Sequence, residues 1–324
     1  MLRDGRTDLM NLEQLAISAW RKVWPERIDP ERLEALQTEN QATTIYRLIR
    51  VGQAGSPVIA KRCRQSTARI ERTIYEEILP KLPLPRLHYY GFVEEPNTEF
   101  CWLFIEDASS EEKYNPHYQD HRVAAAQWLG IMNKSASGVA AATRLPERRA
   151  EHYLDLLQLA RDTILSNISN PSLNPHDHAL LETILAHCDY LSAHWDRLAS
   201  VCQAMPHTLV HGDFIKKNVA VRFSRDGMVF LPFDWEKAGW GMPAEDISRV
   251  DIPTYWSTVR DYWPELSANS LKRLAHVGKV FRCLVFLDWI APKLAHESTE
   301  PAMSDIRSCE GWLAGLIEAA EWQN

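Results

Sequence analysis

An amide and two carboxylates, arranged around a short hairpin, are the side chains here best suited to chemistry. Asp213 precedes Asn218 in HGDFIKKN, and Asp234 follows in LPFDWE. Between them, 219–224 and 228–233 are two apolar, β-branched runs separated by Arg225-Asp226-Gly227, the composition of a β-hairpin. With the turn centred on Asp226, Asn218 and Asp234 face each other at the open end, and paired Cβ atoms lie about 4.5–5.5 Å apart. A bulge, frequent beside three-residue turns, shifts such pairing by one position. Val219, Val221, Phe223, Val229, Leu231 and Phe233 would then form one apolar face seated on a core. The other face ends in an amide oxygen and a carboxylate. Such oxygens, completed by phosphate oxygens, suit a hard cation such as Mg²⁺.

These groups need a scaffold. Residues 8–24 have the spacing of an amphipathic helix (Leu9, Leu12, Leu15, Ala16, Ala19, Trp20, Val23) that Pro25 stops, and 31–37 reads as a short second helix after Pro30. Strands are expected at 43–51 and 58–63 around the turn 52–57, the second carrying Lys61. A helix over 68–79 points Ile70, Ile74, Tyr75 and Ile78 inward, and strands 87–93 and 100–105 follow. From Asp120, a capping residue for a helix over 121–137, the pattern is mostly helical. Tyr153 to Ile164 marks a second helix, Leu181 to Leu198 a long third, and 270–291 and 304–321 two more. Histidines 176, 178, 187 and 194 have no convergent acid partners in sequence and read as surface or capping residues. The organisation is α+β: a β-rich domain over 1–106 with a helical extension, and a helical domain over 107–324.

Three ordered motifs carry a resemblance. His211-Gly212-Asp213 with Asn218, then Phe233-Asp234-Trp235-Glu236, then Gly241-Met242-Pro243-Ala244-Glu245-Asp246 resemble the aminoglycoside phosphotransferase and choline kinase family. The resemblance implies a protein-kinase-like two-lobed fold, with a small β-rich N-lobe that binds nucleotide and a larger, mostly helical C-lobe. It implies transfer of the γ-phosphoryl group of Mg-ATP to a hydroxyl of a small-molecule acceptor. Asp213 then takes or orients the acceptor proton, and Asn218 and Asp234 hold Mg²⁺. Lys61 matches the strand lysine that holds ATP phosphates, and Glu71 its helix partner, with Glu76 as the alternative. Phe104, Ile105 and Glu106 match the hinge, where backbone groups bind adenine. Asp246 anchors the loop backbone and His211 shapes it. Lys216 or Lys217, between Asp213 and Asn218, would neutralise the transferred group. The chain departs from the family in three places. The loop 36–43 has no glycine, Asn133 stands near a usual histidine, and Lys216-Lys217 replaces a Pro-containing pair.

The acceptor is less legible. Trp240, Tyr255, Trp256, Tyr262, Trp263 and Trp289, with Asp251, Asp261 and Asp288, could hold a cation through ring faces and carboxylates, or stack on a sugar. An amine-bearing acceptor is expected ahead of a neutral sugar. The net charge of −7 argues against a nucleic-acid partner. No apolar run approaches the ~20 residues of a membrane span. Six scattered cysteines without C-x-x-C, and an N-terminus without an apolar signal core, read as a cytoplasmic protein. Oligomeric state and the choice between ATP and GTP stay open. A nucleotide-binding regulator without turnover is the alternative reading, resting on the glycine-free loop. A protein kinase is disfavoured, because the Gly-rich loop, HRD, DFG and APE motifs are absent.

Asp213→Ala is expected to leave nucleotide binding largely intact and to lower turnover by about 10²–10⁴-fold, the usual contribution of a positioned base. Steady-state rates on one acceptor measure this. A loss below about threefold would remove Asp213 from the chemistry.

Overall fold

Alternation along the early strands builds a sheet whose two faces do different work. The computed structural model of the chain describes residues 5–24, 29–37, 43–109, 111–225, 227–296 and 298–319. Asp226 and most of the glycine-free loop lie outside the described residues. The chain opens with α1 (Gly5–Val23), then β1 (Leu33–Gln37), β2 (Thr43–Leu48), β3 (Val58–Arg64) and α2 (Gln65–Thr73). A π turn over Ile74–Ile78 continues α2, and β4 (Tyr89–Glu94), β5 (Phe100–Glu106) and β6 (Glu112–Lys113) follow. Next come α3 (Gln119–Ala136), β7 (Glu147–Arg148), α4 (Ala150–Asn167), α5 (Pro175–Ala193), α6 (Trp195–Gln203) and β8 (Thr208–Val210). The hairpin is β9 (Val219–Ser224) and β10 (Gly227–Pro232), followed by β11 (Gly239–Gly241). The chain closes with α7 (Ala244–Ile247), α8 (Ile252–Val259), α9 (Ala268–Ile290) and α10 (Glu300–Ala319). Among the described residues no helix is long and apolar enough to cross a membrane.

The chain divides into two compact units. The first runs to Tyr114 and includes Phe214–Ala238; the second comprises Asn115–Asp213 and the chain from Gly239. A single cut after Glu106 would instead leave the hairpin with the helices.

In the first unit a five-stranded antiparallel sheet has the order β1-β2-β3-β5-β4. One face packs Tyr46, Leu48, Val58, Ala60, Trp102 and Phe104 against Ala16, Ala19 and Trp20 of α1. Leu15, expected inward, is instead 37% exposed. Period-two alternation sends Ile59 and Lys61 to the opposite face. The second helix expected at 31–37 is a correction, because Leu33–Gln37 forms the edge strand β1, paired Leu33↔Leu48. Five helix-forming residues are too few to nucleate a stable helix, whereas the free edge of β2 supplies hydrogen bonds at once.

The hairpin register is a second correction. Ser224 pairs with Gly227 and Val219 with Pro232, one position from the expected register. Gly227 adopts φ 114°, open to glycine, and so joins the strand instead of the turn. Phe233, not Asp234, lies opposite Asn218, and its N–H donates to Asn218 O at 2.9 Å. The faces regroup accordingly. Val219, Ala220, Val221, Phe230 and Leu231 are all buried at the base, while Phe223 near the tip is 62% exposed.

In the second unit α9 is the central helix, burying Leu274, Val277, Val280, Phe281, Leu284 and Leu287. The long third helix is in fact two, α5 and α6, broken at His194, whose φ of −109° and ψ of 13° leave the helical region. A small sheet, β7-β11-β8, delivers the chain to His211. The segment after β11 is pinned by α9, where a Cβ on Gly278 would stand 1.8 Å from Ala244 O. Gly278→Ala therefore forces α7 and α9 apart. It is expected to destabilise the chain by about 1–3 kcal/mol, as overpacking does. Urea unfolding midpoints at constant slope check this; a change below about 0.5 kcal/mol would contradict the close packing.

Candidate active site

Lys61 sits mid-strand on the sheet face opposite α1, with Ile45 and Leu103 as its cross-strand partners. Its side chain is 7% exposed, so its charge requires partners. Nζ donates to Glu71 Oε1 at 2.6 Å, to Asp234 Oδ1 at 2.5 Å and to Glu236 Oε2 at 3.3 Å. Burial alone would lower the Lys61 ammonium, but Glu71, Asp234 and Glu236 outweigh it and hold it well above its ordinary value. Glu71 lies on α2 and is 1% exposed. Burial raises its carboxyl above the ordinary range, Asp234 and Glu236 add to this, and Lys61 opposes it. Glu76, the alternative partner, accepts instead from Tyr89 Oη and Arg72 Nε.

Asp234 reaches this cluster from a left-handed backbone, φ 62° and ψ 59°, just past the hairpin. That conformation is uncommon outside glycine, although Asp tolerates it better than most residues. Oxygens of Glu71, Asp234 and Glu236 all lie within 4.8 Å of one another. Three carboxylates against one ammonium leave excess negative charge, and Glu71 Oε2 is buried with no hydrogen-bond partner. This donor set fits a divalent cation with hard oxygen ligands. Asn218 is 3% exposed at the end of a 3₁₀ turn over Lys216–Asn218, and Lys216 and Lys217 are exposed beside it.

The same sheet face lines a cavity of about 230 Å³. Ile45, Ile59 and Ile105 supply apolar walls, and Lys61 and Asp234 its charged end. Phe104 points the other way, into the α1 core, and is fully buried. Glu106 is held at both oxygens, accepting from His88 N at 3.0 Å and from Arg222 Nη2 at 2.6 Å. The N–H groups of Glu106 and Asp107 donate to His88 O and Pro57 O. Both amides of this segment are thus already engaged within the chain.

The second unit positions Asp213. Gly212 at φ 74° lets the loop turn sharply. Asp246, 2% exposed, accepts from His211 N at 2.7 Å and from Gly212 N at 3.1 Å. His211 is fully buried, and its Nδ1 accepts from Asp213 N at 3.3 Å. Asn133 works one step upstream. Its Nδ2 donates to Leu209 O at 2.8 Å, its Oδ1 accepts from Tyr255 Oη at 2.8 Å, and its backbone oxygen accepts from Thr208. Sequence reading left Asn133 and Glu236 out of the site, although Glu236 stands inside the Asp-Trp-Glu motif.

Among the described residues, several of the rings and acids expected to hold an amine are engaged within the chain itself. Tyr255 and Trp263 are buried in packing. Arg260 already covers the Trp256 ring at 5.3 Å and Lys293 the Trp289 ring at 3.0 Å. Asp251 caps α8 through Thr254, and Tyr262 bonds to Ser137.

Burial raises the Asp246 carboxyl to about 7; the His211 amide opposes this, Glu245 adds to it, and the Gly212 amide and Arg282 oppose it. An unfolded Asp titrates near 3.9. Between about pH 4 and pH 7 the folded chain keeps a proton that the unfolded chain has released, so stability falls as pH rises through that window. Asp246→Asn cannot titrate and leaves one of the two amides unmatched. It should be less stable throughout, with a shallower decline between these limits. Urea midpoints across the window test this, and equal slopes in the two proteins would count against it.

The model of the phosphotransferase enzyme family matches residues 38–279, well over half of the chain. Among curated proteins no detectable sequence match appears. Solved structures align along nearly the whole chain. APH(2")-IIia in its GDP and kanamycin complex has TM-score 0.63 at 14% identity, over 92% of this chain and 98% of that one. Spectinomycin phosphotransferase with ADP and spectinomycin has TM-score 0.60 at 10% identity, over 94% and 98%. Choline kinase from Cryptosporidium parvum Iowa II has TM-score 0.60 at 12% identity, over 95% and 97%. Identities this low establish the fold, which is the protein-kinase-like α+β arrangement of a β-rich N-terminal region and a helical C-terminal region. The chain belongs to the phosphotransferase enzyme family, among the aminoglycoside phosphotransferase and choline kinase-like proteins.

Proposed function

We propose that this phosphotransferase moves the γ-phosphoryl group of ATP to a hydroxyl of a small molecule. The observation that carries the reading is Lys61, held charged and buried by Glu71 and Asp234 at the end of the first unit's cavity. A fixed ammonium there suits phosphate oxygens, which would take the place of Asp234 on Nζ and free its carboxylate for metal. Asp234 and Asn218 would hold Mg²⁺, with Glu236 near enough to contribute. When bound, the metal neutralises charge on phosphate oxygens.

The chain's own residues do the rest by positioning. Asp213 accepts or orients the acceptor hydroxyl proton, and His211 and Asp246 fix the backbone that carries it. Lys216 or Lys217 lowers the charge on the transferred group. The apolar walls at Ile45, Ile59 and Ile105 suit the flat face of a purine base. Structural relatives carry ADP in one case and GDP in another, so ATP is proposed as donor with GTP as the comparison.

Incubating the protein with Mg-ATP or Mg-GTP and a panel of aminoglycosides, amino alcohols, sugars, nucleosides and hydroxy acids tests the reading. Nucleotide consumption that depends on one acceptor class, and is lost in Asp213→Ala, is the expected result. Tight Mg-ATP binding without turnover on any acceptor would make the protein a nucleotide-binding regulator. Phosphate appearing on a protein alone would reject the small-molecule reading.

A further inference from the structure

The larger cavity of the second unit has a chemistry opposite to that expected of an amine receptor. It measures about 510 Å³, within the range of small-molecule sites. Its walls come from two helix faces. Lys279, Arg282 and Phe286 recur on α9 at spacings of three and four, as do Trp312, Gly315 and Leu316 on α10. Arg249, just past α7, adds a third cation, and among the described residues no acid lines the cavity. In a chain of net charge −7, three cations facing one hollow are a local reversal of sign.

Two details point to a ligand. The Arg282 side chain is 16% exposed, and its Nε is buried with no hydrogen-bond partner. Its nearest carboxylate, Glu245, stands 4.0 Å away, the outer limit of an ion pair. A guanidinium that lines the hollow, with a carboxylate no nearer than that limit, suits a carboxylate or phosphate oxygen. Beside it on α9, Phe286 lies 5.8 Å from Trp312 between ring centroids, and Trp312 is 52% exposed. Such an open aromatic pair suits a flat apolar body.

We propose that this cavity binds an organic anion: a planar or apolar body against Phe286, Trp312 and Leu316, with its acidic group toward Arg282, Lys279 and Arg249. The site does not depend on the phosphotransfer reading. A ligand held there is either the hydroxyl acceptor itself or a separate effector, and both share this chemistry.

The probe is 8-anilinonaphthalene-1-sulfonate, titrated by fluorescence into the full chain with saturating Mg-ATP to cover the nucleotide cavity. Saturable binding is expected, displaced by benzoate and naphthoate but not by benzylamine or benzyl alcohol. Gly315→Leu should block it. A Cβ at Gly315 meets nothing within 4 Å, so the side chain grows into open space, and replacing a helical glycine keeps or raises the melting temperature. Lys279→Glu, at an exposed position, should weaken binding about tenfold by reversing one charge. Absence of saturable binding, equal displacement by benzylamine and benzoate, or unchanged affinity in both variants would overturn the proposal. Consumption of a displacing hydroxy acid on addition of ATP would identify the ligand as acceptor; displacement without consumption would identify an effector.

Discussion

A lysine ammonium inside a β-sheet must be neutralised where it stands, and the first unit is arranged around that need. Isolated charges are too costly to bury, and removing one partner of a buried pair typically costs about 3–5 kcal/mol. Lys61 lies mid-strand in β3, with its alternate neighbours Ala60 and Val58 committed to the α1 core. Its only direction is the opposite face. There α2 brings Glu71, and the chain past β10 brings Asp234 and Glu236. Residues distant in sequence meet because one cation demands them. The left-handed backbone at Asp234 is tolerated for the same reason, since it aims a carboxylate at that charge.

The second unit solves a different problem with neutral groups. The loop bearing Asp213 is held mainly through its backbone: Asp246 takes two amides, His211 a third, and Asn133 fastens the strand before it. Backbone anchoring fixes the path of the loop that carries Asp213. Burial favours the neutral form of Asp246, and the two amides favour the charged one. A raised carboxyl near neutrality is the outcome of that opposition.

Charge also organises the aromatic surface. Arg260 and Lys293 lie over the Trp256 and Trp289 rings, so those rings are already engaged by the chain's own cations. The rings at the α9 and α10 cavity are different, because the cations beside them line the hollow instead of lying over the rings. Aromatic content alone therefore says little about ligand sign. The groups left facing the void decide it.

Motif order and the family resemblance singled out, from sequence alone, Lys61, Glu71 and Asp234, which the fold brings into contact, and Asp246, which it sets against the His211 and Gly212 amides. Spacing of short polar residues along a chain is a local property that survives without coordinates. The α+β division was legible for the same reason, since periods of two and 3.6 are written in neighbouring residues. Three things were not. Residues 31–37 have helical propensity yet form an edge strand, because the open side of β2 outweighs a few tenths of a kcal/mol per residue. The hairpin register turned on one dihedral, φ 114° at Gly227, and a single step moves every side chain to the other face. Glu236 as a third partner of Lys61, and the cations gathered between α9 and α10, arise from segments that meet only on folding. Sequence distance does not encode which side chains will share one buried space; packing decides that.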